Sequence, residues 1–124
     1  MSLKVVILQT AETDLKELRA YIVKQFSPQT WQTTYASLKT AIRDLATQPL
    51  SGSIPPEIER LNLCQYRQVL SGMNRVIYEV RGQSVYVHII ADTRKNLPTL
   101  LMKRLLQTPR NENPASPETP TPQP

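Results

Sequence analysis

The sequence contains few of the residues on which metal sites and disulfide frameworks depend. Among its 124 residues there is one cysteine, Cys64, and one histidine, His88. A single cysteine excludes an internal disulfide, and with one histidine it leaves too few soft ligands for a zinc site. The three glycines are scattered, and nothing resembles a glycine-rich phosphate loop. We therefore expect neither a structural metal nor a bound cofactor.

Long apolar runs are missing as well. The longest early run, residues 3–8, is far shorter than the roughly 20 residues that a membrane-spanning helix needs. The same region lacks the charged start and small-residue cleavage site of a secretory signal. We therefore expect a cytoplasmic protein that has no membrane partner.

The length and the proline distribution predict one domain and a tail. A chain of 124 residues has room for a single small core. Six of the prolines fall in residues 109–124, among polar residues, and Ala115 is the largest other apolar residue there. Such a segment buries too little surface to offset its ordering entropy. We predict a folded domain over residues 1–108 and a disordered Pro-rich tail over residues 109–124.

Positive charge is concentrated in the second half of the domain. Residues 1–59 carry six basic and six acidic side chains, whereas residues 60–110 carry nine basic and two acidic ones. An uneven basic half indicates an acidic partner surface, either nucleic acid or an acidic protein. A surface that is charged only for solubility is the alternative.

Two helices are predicted in succession after the first apolar run. Between that run and residue 49, apolar residues recur at spacings of three and four. Thr10 is placed to cap the first helix, and Ser27 followed by Pro28 marks the start of the second. Because only a sharp turn separates them, the helices must form an antiparallel hairpin that covers a common surface.

That surface is predicted to be a sheet. Residues 66–70, 75–80 and 85–90 are rich in β-branched and aromatic residues and are separated by short glycine turns, which indicates an antiparallel meander. Residues 3–8 predict a first strand covered on both faces. Asn96 is placed to cap a leucine-rich final helix. The predicted fold is α+β, in the order β-α-α-β-β-β-α, with an antiparallel sheet packed by the helical hairpin and a C-terminal helix.

Polar residues on the strands indicate what a partner would meet. A sheet with helices on one face leaves the other face open, and the polar strand residues here are mostly basic. Arg75 and Tyr78 have opposite parity, so they point to opposite faces unless a bulge intervenes. Arg67 on the preceding strand, and Arg94 with Lys95 after the last one, complete a basic cluster.

Several short segments carry a resemblance to a known family. They are YRQV at residues 66–69, GMNRVIYEV at 72–80, residues 85–95, which end in ADTRK, and LLMKRLL at 100–106. In this order and spacing they resemble the RelE/ParE superfamily, the toxins of bacterial type II toxin–antitoxin modules. The resemblance covers about residues 3–106. It implies a cognate antitoxin, often acidic, that wraps the toxin.

The superfamily has two branches that differ in activity, and the sequence has to be compared with each. RelE-like members cleave messenger RNA in the ribosome, and Arg75 and Arg94 match two of their arginines. Leu100, however, stands about where that pattern has its catalytic tyrosine, and no His-Tyr pair closes the chain as in the YoeB-like relatives. ParE-like members poison DNA gyrase instead. The loop of Arg94 and Lys95 that leads into a leucine-rich helix looks more like the ParE branch.

Three hypotheses follow. The first is a ParE-like toxin of a plasmid-stabilising module that inhibits DNA gyrase and is neutralised by an antitoxin; its target-binding residues would be Arg75, Arg94, Lys95, Lys103 and Arg104. The second is a ribosome-dependent endoribonuclease that cleaves messenger RNA. Its candidate catalytic residues are Arg67, Arg75, Tyr78, His88 and Arg94. The third is an inactive relative that still binds the antitoxin. His88, on an apolar strand, is also read as a hydrogen-bonded packing residue.

Overall fold

The computed structural model describes residues 2–61 and 63–107, with side chains as far as residue 104. The elements are β1 (Lys4–Ile7), α1 (Gln9–Gln25), α2 (Pro28–Asp44), α3 (Pro56–Glu59), β2 (Tyr66–Ser71), β3 (Asn74–Arg81), β4 (Ser84–Asp92) and α4 (Leu97–Gln107). The predicted order of strands and long helices is confirmed. The short helix α3 was not predicted, and the predicted tail, residues 109–124, lies outside the described residues.

The strands form one sheet in the order β1-β4-β3-β2. β2, β3 and β4 pair antiparallel, as the meander predicted, and the turns between them hold Gly72 and Gly82 at φ of 61° and 58°. Positive φ suits the tight turns of hairpins and strains residues that carry a Cβ. β1 pairs parallel with β4, so the prediction of a wholly antiparallel sheet was wrong at this edge. The reason is that β1 is joined to the meander by a long helical crossover, which permits a parallel pairing.

Local capping explains where the helices begin. The Ser27 hydroxyl accepts a hydrogen bond from Thr30 N at 3.0 Å, and Pro28 is the first residue of α2, as predicted. Asn96 Oδ1 accepts from Thr99 N at 3.0 Å at the start of α4. The prediction that Thr10 caps α1 was wrong. α1 begins one residue earlier at Gln9, and its N-cap, Leu8, makes no side-chain hydrogen bond.

The hairpin α1–α2 covers one face of the sheet, which we call the hairpin face. Its core joins strand residues such as Val76, Tyr78 and Val87 to Ala11 and Leu38 of the helices, each of them fully buried. β1 packs at the edge of this core with its residues only half-buried or exposed. β1 is therefore an edge strand and not, as predicted, a strand covered on both faces.

The opposite face of the sheet is covered by α3 and α4, and we call it the α3–α4 face. Its buried core consists of Ile58, Tyr66, Ile77, Ile89, Leu97 and Leu101. Each buried leucine of α4 contributes about 2 kcal/mol to holding the helix on the sheet. The prediction that this face is open was wrong over this region, because the segment before β2 and the final helix both pack on it.

Candidate functional site

A half-open groove of about 880 Å³ lies where α1 and α4 meet across the outer edge of β4. We call it the α1–α4 groove. Four of the five residues predicted to bind a target line it, namely Arg94, Lys95, Lys103 and Arg104. The sequence could not show this, because the four residues come together with α1, which lies about 80 residues earlier in the chain.

The groove exists because β4 is longer than its neighbour β1. β1 pairs only with residues 84–87, so the outer edge of β4 beyond Val87 needs other partners. α1 supplies them: Thr10 Oγ1 donates to His88 O at 3.4 Å, and Asp14 Oδ2 accepts from Ile90 N at 3.0 Å. Side chains of a helix thus replace the missing strand.

Asp14 and Arg104 fasten α4 to this edge. Arg104 Nη2 donates to Asp14 Oδ1, and Arg104 Nη1 donates to His88 O at 3.0 Å. Burial raises the pKa of Asp14, while the hydrogen bonds from Arg104 and Ile90 oppose that rise. Arg104, predicted to bind a target, is therefore engaged in an internal ion pair that positions α4. Asp14 was not predicted as a site residue, because in the sequence it resembles an ordinary acidic residue near a helix start.

Arg94 is fixed in place but still faces solvent. Its Nε and Nη2 donate to Asp92 Oδ1 and Oδ2 at 2.8 and 2.9 Å, and its backbone N also reaches Oδ1 at 2.8 Å. The hydrogen bonds from Arg94 lower the pKa of Asp92 to about 2. The Arg94 side chain remains 74% exposed. Together with the exposed Lys95 and Lys103, it gives the α4 side of the groove a basic wall.

Arg75 does not line the groove. It is 8% exposed and lies under α3, where its guanidinium donates to Glu57 Oε2 and Gln68 Oε1 at 3.1 Å and to Thr93 O at 3.0 Å. Within the described part of the chain its Nε has no hydrogen-bond partner. Arg75 thus joins α3, β2 and the residue that precedes Arg94.

Tyr78 and Arg67 lie together around Gly52, inside the fold. The Tyr78 hydroxyl donates to Pro49 O at 2.7 Å and accepts from Gly52 N at 3.0 Å, and Arg67 Nη1 donates to Gly52 O at 2.7 Å. Tyr78 is fully buried, and burial raises its pKa. The glycine is needed here, since an added Cβ would come within 2.4 Å of Gln68 O.

His88 lies apart from Tyr78, on the α3–α4 face. A bulge between Ile77 and Tyr78 in the β3–β4 register leaves His88 unpaired in the ladder. Its Nε2 is 3.0 Å from Glu79 Oε1, and its ring meets Tyr66 edge-on at 5.2 Å. The ribonuclease candidates are therefore spread over four places: Arg94 at the groove, Arg75 under α3, Arg67 with Tyr78 around Gly52, and His88. Glu79 and Tyr66, which were not predicted as site residues, are the close neighbours of His88.

Comparisons with known proteins agree with this architecture. A family model described as the ParE toxin of the type II toxin–antitoxin system, parDE, matches residues 5–97. A solved structure described as the chromosomal ParDE TA system from P. aeruginosa matches with a TM-score of 0.62 and 12% identity, over 73% of this chain and 96% of that chain. At that identity the likeness shows the fold alone. No curated protein matches the sequence.

Over residues 2–61 and 63–107, no helix is long and apolar enough to cross a membrane. In the same ranges, no three or more His, Cys, Asp or Glu side chains are grouped so that they could hold a metal ion.

Proposed function

Because the chain belongs to the ParE toxin family of type II toxin–antitoxin systems, we propose that it stops bacterial growth by binding and poisoning DNA gyrase. The proposal includes a cytoplasmic location, a role in plasmid stabilisation and a cognate antitoxin that neutralises the chain. It needs no cofactor, because the chain would act by binding.

The observation that carries this proposal is the basic wall of the α1–α4 groove. Arg94, Lys95 and Lys103 are exposed there and would contact an acidic surface of the target. Arg75 and Arg104 would act indirectly. Arg75 holds the carbonyl of Thr93, next to Arg94, and Arg104 holds α4 against α1.

A second function, a ribosome-dependent endoribonuclease, is favoured by one observation. His88 and Glu79 form a close pair of side chains that could move a proton, and Arg81 lies 3.4 Å from the same carboxylate. The reaction would need the messenger RNA to reach the α3–α4 face. Tyr78 would take no direct part, because its hydroxyl is buried and engaged twice. The inactive antitoxin-binding relative is the outcome if neither activity exists.

Pulse-labelling of DNA and protein synthesis within minutes of inducing the chain tests the proposal. We expect DNA synthesis to fall first, with a DNA-damage response. In supercoiling assays with purified gyrase, Lys95→Glu/Lys103→Glu should inhibit at least about tenfold more weakly than the wild-type chain. The control Lys16→Glu/Arg43→Glu makes the same charge change outside the groove. An earlier fall of protein synthesis, abolished by His88→Gln, would reject gyrase poisoning in favour of the ribonuclease.

A further inference from the structure

The end of the α1–α2 hairpin is basic and contains no acidic side chain. Residues 19–39 include Arg19, Lys24 and Lys39 but neither aspartate nor glutamate. All three cations are exposed, and none of them forms an ion pair with the described side chains. We call residues 19–39 the hairpin arm. Because residues 1–59 are neutral as a whole, the hairpin arm is a local concentration of positive charge within them.

The hairpin arm also carries two pairs of packed aromatic rings. Trp31 and Tyr35 stack on each other along α2, with ring centres 5.3 Å apart and an angle of 18° between the ring planes. Tyr21 and Phe26 pack edge-on with their centres 6.3 Å apart, and Phe26 is 65% exposed. Rings that are packed against each other keep their orientation, so these surfaces are ordered before any partner binds.

One face of α2 brings aromatic rings and a cation into line. Trp31, Tyr35 and Lys39 follow one another at intervals of four residues, which makes them neighbours on the helix surface. Lys39 Nζ lies 5.4 Å from the centre of the Tyr35 ring, and Tyr35 is 39% exposed. Unpaired bases stack on aromatic rings, and the phosphates that join them contact lysines. The order of stacked rings and then a cation therefore matches a nucleotide strand.

The rest of the exposed surface of α2 favours a nucleic acid over a protein partner. Leu38 and Ile42, which could anchor a protein contact, are buried in the core. The exposed neighbours of the aromatic rings are glutamine, threonine and serine residues, namely Gln29, Thr30, Gln32, Thr33 and Ser37. Side chains of these types donate hydrogen bonds to phosphate and base oxygens. A second copy of the chain is disfavoured, because two hairpin arms of the same charge repel each other.

We propose that the hairpin arm binds single-stranded nucleic acid. Bases stack on the pair formed by Trp31 and Tyr35, and phosphates contact Lys24 and Lys39. A duplex binds less well, because its bases are already stacked on one another and do not reach the aromatic rings. The inference goes beyond gyrase poisoning, and it uses residues outside the basic wall of the α1–α4 groove.

The fluorescence of Trp31 tests the proposal directly, because it is the only tryptophan of the chain. Titration of the purified full chain with oligothymidylate or oligouridylate of about 12 nucleotides should quench this fluorescence, whereas a duplex of the same length should not. Binding should weaken steeply as the salt concentration rises, because the phosphates release counterions. The tighter of the two oligonucleotides shows whether DNA or RNA is the preferred ligand.

Substitutions in the hairpin arm separate stacking from charge. Tyr35→Leu keeps an apolar side chain but removes the ring and should weaken binding at least about fivefold, whereas Tyr35→Phe should change it by less than about twofold. Lys24→Glu/Lys39→Glu should weaken binding at least about tenfold. Lys95→Glu/Lys103→Glu makes the same charge change in the groove and should change binding by less than about threefold. Circular dichroism checks that each variant is folded.

The outcomes separate this inference from the proposed function. Failure of both single-stranded oligonucleotides to bind at about 100 µM would overturn the inference. Equal binding of the duplex, or equal losses in the two double lysine variants, would overturn it too, because general charge attraction would then explain the binding. A Trp31 response to the protein encoded by the adjacent reading frame, with none to the oligonucleotides, would make a protein the occupant instead. Oligonucleotide binding by a chain that does not inhibit gyrase would support the inference and reject gyrase poisoning alone.

Discussion

Both faces of the sheet are covered, but by different kinds of contact. The hairpin face is packed mainly by apolar side chains, and Tyr78 adds one hydroxyl with two hydrogen bonds. The α3–α4 face has a smaller apolar core and is bordered by polar pairs, Arg75 with Glu57 and His88 with Glu79. Hydrophobic burial has no direction, whereas charged hydrogen bonds fix geometry. In this protein the basic strand residue Arg75 therefore holds a helix and a loop in position, through Glu57 of α3 and the carbonyl of Thr93.

The largest loss of stability should come from a substitution on the hairpin face. We expect Tyr78→Ala to lower the free energy of unfolding by about 4 kcal/mol, because it opens a cavity in the core. Tyr78→Phe should cost about 2 kcal/mol, since Gly52 N and Pro49 O lose their partner. Urea unfolding measures both, and Tyr35→Phe on the exposed side of α2 is the control. A stable Tyr78→Phe protein that has lost toxicity would contradict the structural role.

A somewhat smaller loss of stability is expected at the edge of β4, where side chains of α1 make the hydrogen bonds that a neighbouring strand would make. Asp14→Ala should destabilise the fold by about 3 kcal/mol, because Arg104 keeps a half-buried charge without its partner and Ile90 N loses its acceptor. Glu17→Ala on the same helix should change stability by less than about 0.5 kcal/mol. Hydrogen exchange should show faster exchange at Ile90 and in α4. Equal effects of the two variants would contradict the fastening role of Asp14.

On the α3–α4 face, Arg75→Gln should cost about 2 kcal/mol through the lost contacts to Glu57, Gln68 and Thr93. The double variant with Glu57→Gln should be less unstable than the two single effects added together, because neither charge is then left alone. A variant that keeps wild-type stability but loses target binding would instead place Arg75 in direct contact with the target.

The smallest loss of stability should come from breaking the exposed ion pair of Asp92 and Arg94. That loss should depend on pH. The pKa of Asp92 is lowered from its ordinary 3.8 to about 2 in the fold. Its ionised form therefore stabilises the protein above pH 3.8, and that contribution disappears as the pH falls toward 2. After allowance for solvent screening, Asp92→Asn should cost about 1 kcal/mol at pH 7 and almost nothing at pH 2. A cost that does not change with pH would show that the lost contact is not electrostatic.

Much of the fold could be predicted from local patterns. Ser27 with Pro28 located the start of α2, the turns at Gly72 and Gly82 located the hairpins, and Asn96 located the start of α4, because each of these signals acts within a few residues. The parallel pairing of β1, the short helix α3 and the partial cover of the second face were not predictable in this way. They depend on contacts between residues that lie far apart in the chain.

The same distinction between local patterns and long-range contacts applies to the candidate site. The element order, the basic character of residues 60–110 and the resemblance to a toxin superfamily could all be read from local patterns, since periodicity, charge and short motifs are local properties. Tertiary contacts were needed to show that Arg94, Lys95 and Lys103 face one groove while Arg75, Arg104 and Tyr78 are held by hydrogen bonds within the fold. The exposure and the partners of a side chain depend on which distant segments pack against it. Here those segments are α1, α3 and the residues around Gly52.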